Sequence, residues 1–171
     1  MNGNEKEPRH SPVVSNSGPL IALATINKLD LLKDLFGQVC IPQAVYDEVV
    51  VYGEGKPGAK ETDEAEWIKI LEVKDRLAVS LLREEMDAGE SEAIILAQEL
   101  NAAYVLIDEA IARRKVRLIG LCMVGTLGLL LMAKEAGLIS AVKPALDELR
   151  QTDFKMSSRL YREVLVKAGE A

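Results

Sequence analysis

The sequence predicts an α/β domain in which helices cover both faces of a central parallel sheet, a three-layer α/β/α arrangement. Segments typical of strands alternate with segments typical of helices along the chain, as they do in parallel sheets. The 171 residues, of which 49% are hydrophobic, are enough for one well-filled core and not obviously for two. We therefore expect a flexible polar arm over residues 1–12 and a single domain over residues 13–171.

Capping residues and helix breakers divide the first half of the chain. Ser17 is a suitable helix cap, and Pro19 is tolerated in a first helical turn. Gly37 ends a helix, and Pro42 begins another. Residues rich in Gly, Lys and Glu then predict a mobile loop that passes into a short helix. The predicted elements are a strand over 13–16, helices from 17 and over 29–36, a strand over 39–41, a helix over 42–50 and a strand over 68–73.

The second half continues the alternation. Tyr104 to Ile107 is a β-branched and aromatic run typical of a buried strand. Thr126 is placed to cap an apolar helix, and Ser157 or Ser158 to cap the last one. The apolar run 127–132 is interpreted as core or as a partner surface. The predicted elements are helices over 77–86 and from 89, a strand over 104–107, a helix that opens at 108–109 and a strand over 121–124. Helices over 126–136 and 138–150 follow, and a last helix starts after the cap at 157 or 158.

Composition excludes several function classes. The net charge of −6 is the wrong sign for a protein that coats nucleic acid non-specifically, so any nucleic-acid role must be local. His10 is the only histidine, which excludes His-based triads and His-rich zinc sites. Cys40 and Cys122 fall in predicted strands and are expected to be buried thiols. Without an apolar leader or a membrane-spanning run, we expect a cytoplasmic protein and no membrane partner.

Acidic residues are placed to meet at one edge of the predicted sheet. Glu90 lies three, four and seven residues before apolar positions of its helix, so its carboxylate is predicted to point inward. Asp108 follows the strand 104–107 at its carboxyl end, where open α/β sheets bind their ligands. Glu48 lies on the apolar line of another helix, and Asn16 ends the first strand. A divalent cation would neutralise such a cluster.

At these positions the sequence resembles the PIN domain family, and more closely a small PIN-like branch related to VapC-type toxins. The resemblance covers nearly all of the chain from Val13 to about Leu165. It rests on five segments, which are SNSGPLIALA at 15–24, IPQAVYDEV at 41–49, GESEAIILAQELNA at 89–102, LIDEAIARR at 106–114 and VGTLGLLLMAKEAGLI at 124–139.

The resemblance implies a metal-dependent ribonuclease, often the toxin of a toxin–antitoxin pair. In this family three or four acidic residues hold Mg²⁺ or Mn²⁺, and the metal activates a water that attacks a phosphodiester. Hard carboxylate oxygens suit these hard cations. The resemblance also implies a homodimer and an inhibitory antitoxin protein whose side chain enters the acidic pocket. The expected partners are therefore RNA, an antitoxin and a second copy of the chain.

The resemblance assigns roles position by position. Asn16 stands where most of the family has its first aspartate, and Glu48, Glu90 and Asp108 match the further acidic positions; these four are the predicted catalytic residues. Glu48, Glu90, Asp108 and Glu109 are the predicted metal ligands, with the choice between the last two left open by the sequence. An amide oxygen at Asn16 can coordinate a metal but adds no charge, so weaker metal affinity and weak or absent activity are expected.

Predicted substrate contacts come from one hydroxyl and one basic segment. Ser17 matches the small hydroxyl beside the first acidic position of the family. The segment 113–117 carries four basic residues directly after Asp108, where an RNA backbone would pass, although such a cluster is also typical of a solvated helix face. Lys56 and Lys60 are weaker candidates. Only 4% of residues are aromatic, so base stacking cannot be the main source of affinity. The predicted substrate-binding residues are Ser17, Arg113 and Arg114.

Each predicted catalytic residue also has a purely structural interpretation. Asp87 and Glu90 fit a capping box at the start of their helix. Glu48 fits an ordinary exposed helix acid, Asp108 fits a cap of the next helix, and Asn16 fits a turn residue that binds backbone.

Two other functions remain open at the level of sequence. A PIN fold whose metal site is weakened by Asn16 would serve as an RNA- or protein-binding module. A receiver-like domain would accept phosphate on Asp108, but the first strand lacks the paired acids that such a domain needs at its end.

Overall fold

The computed structural model describes residues 11–171 of the chain and contains a parallel sheet between two layers of helices. The strands are β1 (Val13–Ser15), β2 (Val39–Pro42), β3 (Ile68–Leu71), β4 (Tyr104–Leu106) and β5 (Met123–Val124). The α-helices are α1 (Ser17–Thr25), α2 (Leu31–Phe36), α3 (Gln43–Tyr46), α4 (Ala59–Glu64), α5 (Arg76–Leu82), α6 (Ala88–Glu99), α7 (Ala110–Ile119), α8 (Thr126–Glu135), α9 (Lys143–Arg150) and α10 (Ser158–Ala168).

The predicted α/β class is confirmed. All strand pairs are parallel, and the strand order is β3-β2-β1-β4-β5. The first strand, β1, therefore lies at the centre of the sheet. The next strands, β2 and β3, lie on one side of β1, and β4 and β5 lie on the other, so the strand order reverses beside β1 and β4. Val14 pairs with Cys40 on one side and Val105 on the other, and Ser15 pairs with Leu106. In open α/β sheets, ligands bind at the carboxyl ends of the strands beside such a reversal.

Side chains alternate between the two faces of the sheet, because successive residues of a strand point in opposite directions. Val13 and Leu106 pack into the hydrophobic core that involves α1, α2, α8, α9 and α10. Val14, Val105 and Ile107 pack into the second core, beneath α5, α6 and α7. Burial on both faces explains why these strands are almost uniformly apolar.

The predicted arm over residues 1–12 and His10 fall mainly outside the described residues. Pro12 is described, and its carbonyl oxygen accepts a hydrogen bond from the Ala103 amide at 2.7 Å. Among residues 11–171, no helix combines the length and hydrophobicity that a membrane crossing requires.

Several local predictions are wrong for identifiable reasons. Ser17 and Thr126 are the first residues of α1 and α8 rather than their caps, and the cap positions belong to Asn16 and Gly125. The predicted helix over 138–150 begins only at Lys143. Cys122 precedes β5 and is exposed, whereas Cys40 is buried as predicted.

The helix predicted over 42–50 changes its geometry midway. Its α-helical part, α3, gives way to a π-helical turn over Asp47–Val51, and the Tyr52 amide donates to the Asp47 carbonyl at 2.8 Å. π-helical turns are rare and occur often at functional sites. In contrast, the apolar run in α8 is mainly core, since Leu127, Leu129 and Leu130 are buried.

Candidate functional site

A cavity of about 1010 Å³ lies at the carboxyl edge of the sheet, and six predicted site residues line it. Asn16 and Ser17 directly follow β1, and Asp108 and Glu109 follow β4, its neighbour in the sheet. The π-helical turn adds Glu48, and the first turn of α6 adds Glu90. We call this the acidic cavity. Its lining residues are Asn16, Ser17, Gly18, Ile21, Ala22, Thr25, Glu48, Val49, Tyr52, Gly53, Lys56, Pro57, Asp87, Glu90, Asp108, Glu109, Gln151, Thr152, Asp153 and Phe154.

Asn16 contributes a buried oxygen atom without a hydrogen-bond donor. The residue is only 4% exposed, and within the described part of the chain its Oδ1 has no partner. The absence of a side chain at Gly89 leaves room beside it: an added Cβ would lie 3.4 Å from Oδ1 of Asn16 and 2.9 Å from Oε2 of Glu48. A buried oxygen without a donor costs free energy unless water or a cation satisfies it.

Glu48 faces the cavity from the π-helical turn. Partial loss of hydration raises the pKa of its carboxyl group, and the Ser17 hydroxyl partly offsets this rise. The negative charge of Asp87 raises the pKa further. Glu48 therefore holds its negative charge at a cost in the absence of a cation. The predicted substrate contact Ser17 lines the cavity and is buried, and its hydroxyl is close enough to Glu48 to lower the pKa of that carboxyl group.

Glu90 takes part in the capping box that its spacing from Asp87 suggested. The Glu90 amide donates to Oδ1 of Asp87 at 2.8 Å, and Oε2 of Glu90 accepts from the Asp87 amide at 3.3 Å. Burial raises the pKa of Glu90 most, and the charges of Asp87, Glu109 and Glu48 raise it further, whereas the bond from the Asp87 amide lowers it. The structural role and a position in the acidic cavity therefore coexist in one side chain.

Asp108 is held by Thr126, at the start of α8. Its Oδ1 accepts from the Thr126 amide at 2.8 Å, and its Oδ2 accepts from the Thr126 hydroxyl at 2.7 Å. Asp108 thus binds the first turn of α8 and not that of α7, the next helix along the chain. Each carboxylate oxygen accepts more than one bond, so these contacts leave capacity for a further ligand. Gly18 and Gly125 pack beside the carboxylate, and an added Cβ on Gly125 would lie 2.8 Å from Oδ1.

The basic cluster on α7 stands apart from the cavity lining. Arg113, Arg114 and Arg117 are exposed, and Lys115 forms a 2.8 Å salt bridge with Glu85. Arg113 comes nearest, since its Nη2 lies 3.1 Å from the Cβ position of Gly125. None of these four belongs to the described residues that line the cavity. The assignment of Arg113 and Arg114 as substrate contacts therefore stays a prediction.

Sequence reasoning missed several lining residues. The sequence pattern indicates Asp87 only as a helix cap, and it carries no signal that points to Tyr52 or Asp153. The connection between α9 and α10 contributes residues 151–154, which reach the cavity although they lie far from the other lining residues in sequence. In that connection, the Thr152 hydroxyl donates to the Leu149 carbonyl at 2.7 Å. This approach could not be predicted, because the path of the chain after α9 decides it.

The donor chemistry of the cavity fits Mg²⁺ or Mn²⁺. Carboxylate and amide oxygens are the ligands that these cations prefer, and the orphaned Oδ1 of Asn16 lies beside the same glycine as Oε2 of Glu48. As they stand, no three His, Cys, Asp or Glu side chains of residues 11–171 are arranged to hold a metal ion. This agrees with the repulsion expected between carboxylates that have no cation between them.

Sequence comparison assigns the fold to a known family. Residues 12–170 match the family DUF3368, described as a PIN domain. No curated protein matches the chain. The family match covers every residue of the acidic cavity.

Proposed function

The chain belongs to the PIN-domain family, and we propose from this premise that it is a divalent-cation-dependent endoribonuclease of the cytoplasm. PIN domains have a nuclease-like fold. One observation carries the proposal: β1 and β4 end side by side and bring Asn16 and Asp108 to a cavity that Glu48 and Glu90 also line. A site that gathers this many oxygen ligands at the reversal of an α/β sheet suits the binding of a phosphodiester through a cation.

We assign the cation, Mg²⁺ or Mn²⁺, to Glu48, Glu90 and Asp108, with Glu109 as a further ligand. When bound, such a cation acts as a Lewis acid and lowers the pKa of a coordinated water. The chain's own residues then position the reactants. Asn16 would act as a neutral ligand or orient the attacking water through its amide.

Glu90 and Asp108 differ as ligands of such a cation. Burial and the charges of neighbouring carboxylates raise the pKa of Glu90 in the metal-free protein, so a bound cation would stabilise its charged form. Thr126 donates to both oxygens of Asp108 and holds that carboxylate in place. We therefore assign Asp108 as a fixed ligand and Glu90 as a ligand whose charge the cation compensates.

The basic residues of α7 supply the outer contacts in this proposal. Arg113 and Arg114 are exposed and close to the Asp108 end of the cavity in sequence, so they would bind phosphates beyond the one that reacts. Ser17 would act on the reacting end, next to Glu48.

A toxin role is the more specific part of the proposed function. The cavity is lined by six acidic residues, which favours occupation by a basic side chain of an antitoxin protein when no RNA is bound. A homodimer would belong to the same assembly. Co-purification of a natural partner that blocks RNA cleavage would support this role, and a fully active protein in every cellular context would contradict it.

A second candidate function is a PIN fold that binds RNA or protein without cleaving. Two observations favour it: Asn16 stands where a charged ligand is expected, and the carboxylates of the described chain do not converge as they stand. The two candidates differ in what one added charge would do at position 16.

Cleavage of a single-stranded RNA labelled at its 5′ end separates the candidates. The natural protein, Asn16→Asp and Glu48→Gln are compared in Mn²⁺, with Glu148→Gln as the matched control, because Glu148 is exposed and outside the cavity. The nuclease proposal predicts cleavage by the natural protein and by Glu148→Gln, and its loss in Glu48→Gln. Cleavage that appears only in Asn16→Asp would favour the binding module.

A further inference from the structure

The acidic cavity contains one source of positive charge of its own. Lys56 is the single Lys or Arg among the described residues that line it, and the same lining includes six acidic residues. Lys56 is exposed, and it forms no salt bridge in the part of the chain that the structure describes. Lys60, in the adjacent helix α4, pairs with Glu64 instead. The acidic residues are Glu48, Asp87, Glu90, Asp108, Glu109 and Asp153.

Tyr52 is an exception among the aromatic residues. The sequence contains two Phe, one Trp and four Tyr, and six of these seven pack against the hydrophobic core. Tyr52 is 81% exposed and lines the acidic cavity. An exposed aromatic ring contributes little to the stability of the core, so packing does not explain its place here.

The backbone that carries Tyr52 and Lys56 is fixed at both ends. The Tyr52 amide closes the π-helical turn, and a Cβ on Gly53 would overlap the Val49 carbonyl oxygen. Gly58 has a φ of +98° and its amide donates to Glu61 at 2.9 Å. Between them, the Lys56 amide donates to the Gly53 carbonyl at 2.9 Å. A ring on a fixed backbone binds without the loss of entropy that ordering a loop would cause.

We propose that Tyr52 stacks on one base of the substrate RNA and that Lys56 binds the adjacent phosphate. This inference rests on the proposed function and extends it with two residues that select the substrate. Every base has a π-face, so one ring gives affinity for an unstacked nucleotide without reading its sequence. Bases within a duplex are already stacked, so the cavity would prefer single-stranded or looped RNA. One ring serves one base, which agrees with the low aromatic content of the chain.

Binding measured by fluorescence anisotropy tests the proposal. The probe is a phosphorothioate single-stranded RNA in Mg²⁺, a hard cation that binds sulfur poorly and so leaves this backbone resistant to cleavage. A second probe has the same backbone with abasic positions. The variants are Tyr52→Phe, Tyr52→Leu and Lys56→Gln. Matched controls are Lys60→Gln and Leu77→Ala, because Leu77 is 72% exposed and lies outside the cavity.

We expect Tyr52→Leu to weaken binding of the normal RNA by roughly 5- to 150-fold, as expected for the loss of one base–aromatic stack. Tyr52→Phe should retain binding, and neither change should affect the abasic RNA. Lys56→Gln should weaken binding of both probes and reduce the salt dependence by about 0.7 in slope, which corresponds to one phosphate contact. Both controls should behave as the natural protein does.

Several results would overturn the inference. Equal losses for Tyr52→Phe and Tyr52→Leu, an equal loss on the abasic probe, or unchanged binding in Tyr52→Leu would each exclude stacking. A natural protein that binds no single-stranded RNA, or a Tyr52 effect seen only with a basic peptide, would also overturn it. Base-dependent binding without cleavage of ordinary RNA would contradict the nuclease proposal alone, whereas cleavage with binding that is insensitive to Tyr52 would contradict this inference alone.

Discussion

Glu90 and Glu92 lie two residues apart in α6, yet their carboxylates have opposite surroundings. Glu92 is 6% exposed, and it accepts from the Ala44 amide at 2.8 Å and from Nη1 of Arg76 at 2.6 Å. Glu90 faces the acidic cavity among other carboxylates, and its only donor within residues 11–171 is the Asp87 amide. The buried charge of Glu92 is compensated by the protein itself, whereas that of Glu90 is not.

Glu170 extends the comparison to the end of the chain. It accepts from the amides of Val142 and Lys143 and from Nζ of Lys134, and these donors lower its pKa to about 2. In contrast, burial raises the pKa of Glu48 and of Glu90. Carboxylates that hold the fold together are matched by donors, whereas Glu48 and Glu90 in the acidic cavity have few donors, and our proposal assigns a cation to them. Under the proposed function, this difference separates the structural acids from those that would bind a cation.

The largest expected effect is the loss of cleavage in Glu48→Gln. Removal of a direct metal ligand should cost more than about 100-fold in activity, since even outer contacts to a metal site cost 10- to 100-fold. The same change removes a carboxylate whose charged form is disfavoured, so the metal-free protein should melt at a higher temperature at pH 7. RNA cleavage and thermal unfolding measure the two effects. A parallel loss of activity and stability would place Glu48 with the structural acids.

Asp108 lines the acidic cavity and also accepts two hydrogen bonds that hold the fold together, so Asp108→Asn should reduce stability. The amide accepts through only one of its terminal atoms, so either the N–H or the O–H of the buried Thr126 loses the acceptor for its proton. We expect a loss of about 1–3 kcal/mol, the usual cost of a buried group left without a hydrogen bond. Urea unfolding of Asp108→Asn, Thr126→Val and the double variant measures this. Additive losses in the double variant would show that the pairing is not the cause.

The stability of the metal-free protein should depend on pH in a direction set by Glu48 and Glu90. Their raised pKa values mean that the folded state binds more protons than the unfolded state just above pH 4.5, the ordinary value. The free energy of unfolding should therefore fall as pH rises through the folded-state pKa values. Glu48→Gln/Glu90→Gln should flatten this dependence, and saturating Mn²⁺ should reverse it. If unfolding titrations between pH 4 and 7 show the same pH dependence for the natural protein and the double variant, the charges of Glu48 and Glu90 are not destabilising.

The smallest expected effect is that of Glu170→Gln. Its carboxylate is stabilised in the folded state, so its contribution is complete above pH 4.5 and is lost as pH falls toward 2. The variant should melt at a lower temperature than the natural protein at pH 6, with a smaller loss than Asp108→Asn, and should cleave RNA normally. Reduced cleavage at full folding would show that α10 supports the site and not only the fold.

Much of this site could be predicted from sequence because the end of a strand fixes the position of the next residue. Asn16 and Asp108 come directly after apolar strands, and parallel neighbours must end at the same edge. The inward position of Glu90 could be inferred from helical spacing. These inferences needed only local patterns and the parallel sheet.

Other features depend on contacts between distant parts of the chain. Asp108 pairs with Thr126, 18 residues away, and Glu92 pairs with the Ala44 amide, 48 residues away. The sequence predicts Thr126 as a cap of its own helix, but Thr126 is the first residue of that helix and its hydroxyl donates to the Asp108 carboxylate. Helical spacing also could not reveal the π-helical turn that presents Glu48, because residue propensities do not distinguish it from an α-helix.

Calorimetric titration of the metal-free protein with Mn²⁺ tests the central claim most directly. If uncompensated carboxylates form a cation site, one binding event should appear and should be abolished in Glu48→Gln/Glu90→Gln. It should strengthen in Asn16→Asp and remain unchanged in Glu148→Gln. Absence of binding by the natural protein at millimolar Mn²⁺, or binding that survives the double substitution, would contradict the claim.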